Sequence, residues 1–114
     1  MLNLANNNLT IESSSGGWSF LSSLSNCRDL TSLAFASNPL HGLLPSSIGN
    51  FSASLQKFFA YNCKLKGSIP QEIGNLRDLI LLSLFNNDLN GTIPTTVGRL
   101  QQLQLLDLSD NNLQ

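Results

Sequence analysis

The chain has 114 residues, a formal net charge of -1, and 11% charged against 41% hydrophobic side chains. That length fits one domain, and the near-zero charge gives no electrostatic drive toward nucleic acid or an anionic membrane. The apolar residues recur at a spacing that can fill a core, which excludes disorder, and no apolar run reaches the about 18 residues needed to cross a bilayer.

The chain opens with Leu2-x-Leu4-x-x-Asn7-x-Leu9, a shortened form of a pattern that returns in full four times. Met1 stands where a strand residue belongs, and no basic region followed by an apolar stretch marks a signal peptide. The chain is therefore expected to be cut from a longer one. Segment 11–26 lengthens the first coil. Glu12-Ser13-Ser14-Ser15-Gly16-Gly17 reads as a loop, and Phe20 and Leu24 share one face of a short helix whose Trp18 covers the convex side of the core.

The full copies are Leu30-x-x-Leu33-x-Phe35-x-x-Asn38-x-Leu40, Leu55-x-x-Phe58-x-Ala60-x-x-Cys63-x-Leu65, Leu79-x-x-Leu82-x-Leu84-x-x-Asn87-x-Leu89 and Leu103-x-x-Leu106-x-Leu108-x-x-Asn111-x-Leu113. Self-similarity at a fixed period of this length means a solenoid, in which each unit buries its apolar face only against its neighbours. One residue more than the period predicts a bulge of the outer loop at 52–54. The expected architecture is an α/β solenoid over 1–114, a single array of about five repeats, right-handed, with a concave parallel sheet and short helical or 3-10 turns on the convex side.

Each coil begins with a strand. Over 80–86 the alternation of side chains sends Leu82 and Leu84 into the core and Leu81, Ser83 and Phe85 to the concave solvent face. The chain then turns inward, leaving buried backbone groups that a side-chain amide can satisfy between coils; Asn7, Asn38, Asn87 and Asn111 form this ladder. Cys63 occupies the same column with a weaker donor, so its rung is expected to be held less firmly. Cys27 falls in a different column, so both thiols are expected to be buried and free. Gly42-x-Leu44-Pro45, Gly67-x-Ile69-Pro70 and Gly91-x-Ile93-Pro94 follow, where Gly permits positive φ and Pro ends hydrogen bonding on an outer segment.

The concave columns follow from the register. Met1, Ser32, Lys57, Leu81 and Leu105 form the first; Asn3, Ala34, Phe59, Ser83 and Asp107 the second; Ala5, Ala36, Tyr61, Phe85 and Ser109 the third; Asn6, Ser37, Asn62, Asn86 and Asp110 the last. Phe59, Tyr61 and Phe85 therefore cluster. Exposed aromatics on a rigid sheet bury much area at small entropic cost, which suits a peptide or protein ligand. Lys57, Leu81, Ser83, Asp107 and Asp110 complete the candidate surface. Cross-strand packing that stiffens the sheet is the competing role for the rings.

Catalysis is not expected. His41, the sole histidine, belongs to a solvated turn with no nucleophile or acid to orient it, and Asp107 and Asp110 lack a third ligand for a metal. Lys64 and Lys66 read as a solvated pair. No cofactor is implied. Three Asn-x-Ser/Thr sequons, at Asn8, Asn50 and Asn90, are candidate glycosylation sites, with Asn50 in the outer bulge favoured; they suit an extracellular chain.

Leu65-x-Gly67-x-Ile69-Pro70 and Leu89-x-Gly91-x-Ile93-Pro94, with the near match Leu40-x-Gly42-x-Leu44-Pro45, resemble the plant-specific class of leucine-rich repeats over almost the whole chain. The stretch from Trp18 to Leu30, together with Leu43-Leu44-Pro45 and Ser54-Leu55-Gln56, resembles the ectodomain of plant receptor-like serine/threonine kinases of the immune-receptor type. That resemblance implies an extracellular segment that binds a peptide or protein, with a possible co-receptor, in a parent with one membrane span and a cytoplasmic kinase. No kinase motif is present here. A secreted repeat protein that inhibits microbial wall-degrading enzymes is the alternative.

Overall fold

A computed structural model describes residues 2–3, 29–50 and 54–114. Its main sheet is parallel and five-stranded, in the order β1 (Leu2–Asn3), β2 (Ser32–Ala34), β3 (Lys57–Phe59), β5 (Leu81–Ser83) and β7 (Leu105–Asp107). The pairing aligns Ser32, Lys57, Leu81 and Leu105, then Leu33, Phe58, Leu82 and Leu106, then Ala34, Phe59, Ser83 and Asp107. These are the columns expected from the repeat. The strands are shorter than the 80–86 alternation suggested, because strand geometry ends where the chain begins its inward turn.

The coils of β2, β3 and β5 place the same positions inside. Leu33, Phe58 and Leu82 from the strands, Leu40, Leu65 and Leu89 after the ladder, and Ile48 and Ile73 from the outer turns are all buried. Phe35 and Phe58, on adjacent coils, meet edge to face with ring centroids 6.3 Å apart, the geometry that the ring quadrupoles favour.

The Asn ladder ties coil to coil. Asn87 Nδ2 donates to Leu84 O (2.8 Å) in its own coil and to Ala60 O (3.0 Å) in the preceding one. Its Oδ1 accepts from Cys63 N (2.9 Å) and Leu65 N (3.0 Å). Asn111 repeats the scheme on Leu84 O, Leu108 O and Leu89 N, and Asn38 Nδ2 donates to Phe35 O. Cys63 keeps the donating half, from Sγ to Phe35 O (3.4 Å) and Tyr61 O (3.2 Å). Having no amide oxygen, it leaves Leu40 N to a backbone acceptor, the Cys63 carbonyl at 2.9 Å. Cys63 is free and fully buried, and burial raises its thiol pKa against the opposing hydrogen bonds of Asn38 and Ser37. Asn7, Cys27, Trp18, the 11–26 insertion and the 52–53 part of the outer bulge lie outside the described residues.

Proline starts each convex turn. Ile48, Ile73 and Val97 donate to the carbonyls of Pro45, Pro70 and Pro94 at 3.0–3.1 Å, which opens 3-10 helices at Ser46–Asn50, Gln71–Asn75 and Thr95–Arg99. Proline's fixed φ suits this start, and its missing N–H is not needed there. Gly74 lets two turns stack: a Cβ built on it would lie 2.6 Å from Thr96 O.

One feature was not expected from the sequence. A second parallel sheet joins β4 (Lys66–Gly67), β6 (Asp88–Gly91) and β8 (Asn112–Leu113), just after the ladder. Its strands are too short to show an apolar alternation, and backbone bonds such as Asp88 N to Leu65 O (2.7 Å) hold it. Gly67 and Gly91 sit in it with φ of 77° and 78°, where a side chain is strained.

Candidate recognition surface

The strand alternation presents one face of the main sheet outward. Leu82 and Leu84 are buried, whereas Leu81 and Phe85 are half-buried and Lys57 is exposed. Tyr61 and Phe85 follow β3 and β5 in the same column and stack face to face, centroids 4.8 Å apart and planes at 14°. Phe59 is half-buried in the adjacent column, in register with Ser83. The sheet thus carries a partly exposed aromatic patch, bordered by Lys57 on one side and Asp107 on the other.

Ser83 does not belong to the accessible surface. It was expected to face solvent but is only 6% exposed. Its short side chain lies in register between Phe59 and Asp107 and on the same strand face as Leu81 and Phe85, so larger neighbours cover it. Ser32, Ala34 and Ala36, small residues of the same concave columns, are buried as well.

The two acidic candidates differ. Asp107 Oδ1 accepts from the Ser109 hydroxyl (2.6 Å) and backbone N–H (3.1 Å), an Asx turn that holds its carboxyl below the usual carboxylate range. Asp110 is exposed at φ 56°. Ser37, Asn62 and Asn86 in its column share that left-handed conformation, at 62°, 58° and 57°. Asn86 Nδ2 donates to Asn62 Oδ1 (2.9 Å), and Asn62 Nδ2 makes a longer bond to Ser37 Oγ (3.4 Å). An exposed polar ladder therefore edges the sheet. The signal was in the sequence, since Asn and Asp tolerate positive φ better than other residues with side chains.

His41 is exposed at φ 60°, a turn residue as expected. Among the described residues no three His, Cys, Asp or Glu side chains gather to hold a metal, and no helix is long and apolar enough to cross a membrane. An open hollow of about 280 Å³ lined by Arg77, Asp78, Arg99, Gln101 and Gln102 includes none of the expected site residues. Of the sequon residues, Asn50 ends a 3-10 turn and is exposed, Asn90 is exposed in β6, and Asn8 lies outside the described residues.

Known proteins show the same pattern. The chain is 47% identical over 70 residues to receptor kinase-like protein Xa21 of Oryza sativa subsp. japonica, covering 60% of this chain and 7% of that protein. It is 42% identical over 83 residues to the LRR receptor-like serine/threonine-protein kinase EFR of Arabidopsis thaliana, covering 73% and 8%. The chain thus spans less than a tenth of either relative. Its fold matches the Arabidopsis receptor kinase HAESA, solved in complex with the peptide hormone IDA and the co-receptor SERK1. That match has a TM-score of 0.80 and 33% identity, over 97% of this chain and 17% of that one. Such a repeat fold carries no catalytic machinery of its own. The family described as Leucine Rich Repeat matches residues 29–51, 54–76 and 78–100, more than half of the sequence, and the chain belongs to that family.

Proposed function

We propose that this array is a ligand-recognition segment of a plant cell-surface receptor, the extracellular part of a receptor-like serine/threonine kinase. It binds a peptide or protein through the concave sheet, in a parent whose kinase lies outside these residues. The observation that carries this reading is the Tyr61–Phe85 stack, partly exposed beside Phe59 and Lys57 on a rigid parallel sheet. Aromatic side chains on such a support dominate interface energetics. The relatives Xa21 and EFR are receptor kinases, and HAESA holds a peptide hormone and a co-receptor, which supports a peptide or protein ligand and a co-receptor here.

Substitution in the parent receptor tests the reading. Tyr61→Ala or Phe85→Ala is expected to weaken ligand binding by about 30-fold, the equivalent of about 2 kcal/mol at an interface hot spot. Gln71→Ala on a convex turn should leave affinity unchanged. Equal affinity of all three variants, measured by calorimetry, would remove the concave patch from the binding site.

A further inference from the structure

The sequon Asn90-Gly91-Thr92 lies at the end of β6 in the second sheet, whereas the aromatic patch belongs to the main sheet. Side chains in β6 alternate, with Asp88 and Asn90 exposed and Leu89 buried. Thr92 is exposed as well. Neither Asn90 nor Thr92 spends its side chain on a hydrogen bond, in contrast to Asn87 three residues earlier, whose amide is consumed by the buried ladder. The surroundings are open: Asn90 pairs in register with the exposed Asn112, and the nearest atom to a Cβ built on Gly91 is Ser68 Cβ at 3.7 Å. Gly91, at φ 78°, turns the chain between the acceptor and its hydroxyl partner.

We infer that Asn90 carries an N-linked glycan, which projects from the second sheet and leaves the concave face clear for the ligand. The inference rests on the extracellular reading, since the donor, an oligosaccharide on a lipid pyrophosphate, is supplied in the secretory pathway. The Asn90 amide nitrogen bonds to the anomeric carbon of the donor and loses one proton, while the bond from that carbon to the pyrophosphate oxygen breaks and the lipid pyrophosphate leaves. A bulky polar glycan must end at the surface of the folded chain. Asn90 meets that condition with no rearrangement.

The test is translation of the chain behind a cleavable secretory leader in the presence of endoplasmic-reticulum microsomes, with endoglycosidase H as the probe. On the protease-protected product, Thr92→Ala is expected to remove one glycan step and Thr92→Ser to retain it. Purified Asn90→Gln should keep the circular dichroism of the glycosylated chain. A Thr92→Ala product that migrates with the parent overturns the inference, as does a glycan at Asn90 confined to misfolded material. Because the microsomes impose the compartment, a negative result counts against Asn90 alone; whether the parent receptor reaches the cell surface is read separately, from its location in plant cells.

Discussion

Asn87 and Cys63 occupy the same column but do different amounts of bonding, and the difference is measurable. Asn87 satisfies two buried N–H groups and one carbonyl across the coil boundary, and a second carbonyl in its own coil. Asn87→Ala should therefore cost about 3 kcal/mol in urea denaturation, since buried groups left unpaired cost about 1–3 kcal/mol each and some will recover partners. Cys63→Ala loses only weak sulfur bonds and a small volume, about 1 kcal/mol. Equal losses would mean that the ladder is not held by the amide. The Cys63 thiol is raised by burial, so its proton is kept in the folded chain under conditions where the unfolded chain has lost it. Its contribution to stability is present below the ordinary thiol range and is lost as pH rises through the folded value. Maleimide should label Cys63 only after unfolding; labelling of Cys63 itself in the native chain, located by peptide mapping, would contradict its burial. Asp107 runs the other way: its lowered carboxyl pKa means a contribution present at neutral pH and lost in acid as the folded value is crossed. The ladder was legible in the sequence because each Asn recurs at a fixed offset from buried leucines. The exposure of Ser83 was not, because alternation gives the face of a residue but not the size of the side chains beside it.

The convex turns show why a repeat keeps a glycine at one position. A Cβ on Gly74 would meet Thr96 O at 2.6 Å, whereas one on Gly98 meets nothing within 4 Å. Gly74→Ala should cost about 1–3 kcal/mol by forcing the two turns apart, while Gly98→Ala should be neutral or slightly stabilising because it restricts the unfolded chain. Chemical denaturation of the pair decides it; equal effects would show that the turns do not stack closely at Gly74. These turns were legible through their prolines. The second sheet was not, because Lys66–Gly67 and Asn112–Leu113 bond through the backbone and their side chains carry no pattern. The left-handed column was only partly legible: Asn62, Asn86 and Asp110 are residue types that tolerate positive φ, but they adopt other conformations as readily, and Ser37 carries no such signal.

At the scale of the whole molecule, the terminal coil leaves apolar surface open. Leu105 and Leu106 are 51% and 38% exposed, although Leu82, in register with Leu106, is buried one coil earlier. A stacked array buries each unit against the next, so the 114-residue chain on its own should self-associate as its concentration rises. Sedimentation velocity checks this, and a monomer at all concentrations would contradict it. The architecture was legible because the repeat fixes which residues share a column, and the pairing of Lys57 with Leu81 and Leu105 follows directly. The position of the ligand was less so, since a period reveals a face but not which part of it a partner touches. Hydroxyl-radical footprinting of the parent ectodomain, with and without its ligand, tests the concave-face assignment most directly. Tyr61, Phe85 and Phe59 should oxidise in the free protein and be protected in the complex, with buried Phe58 silent in both. Oxidation of Phe58 in the folded protein, or unchanged oxidation of Tyr61 and Phe85 on ligand binding, would contradict the account.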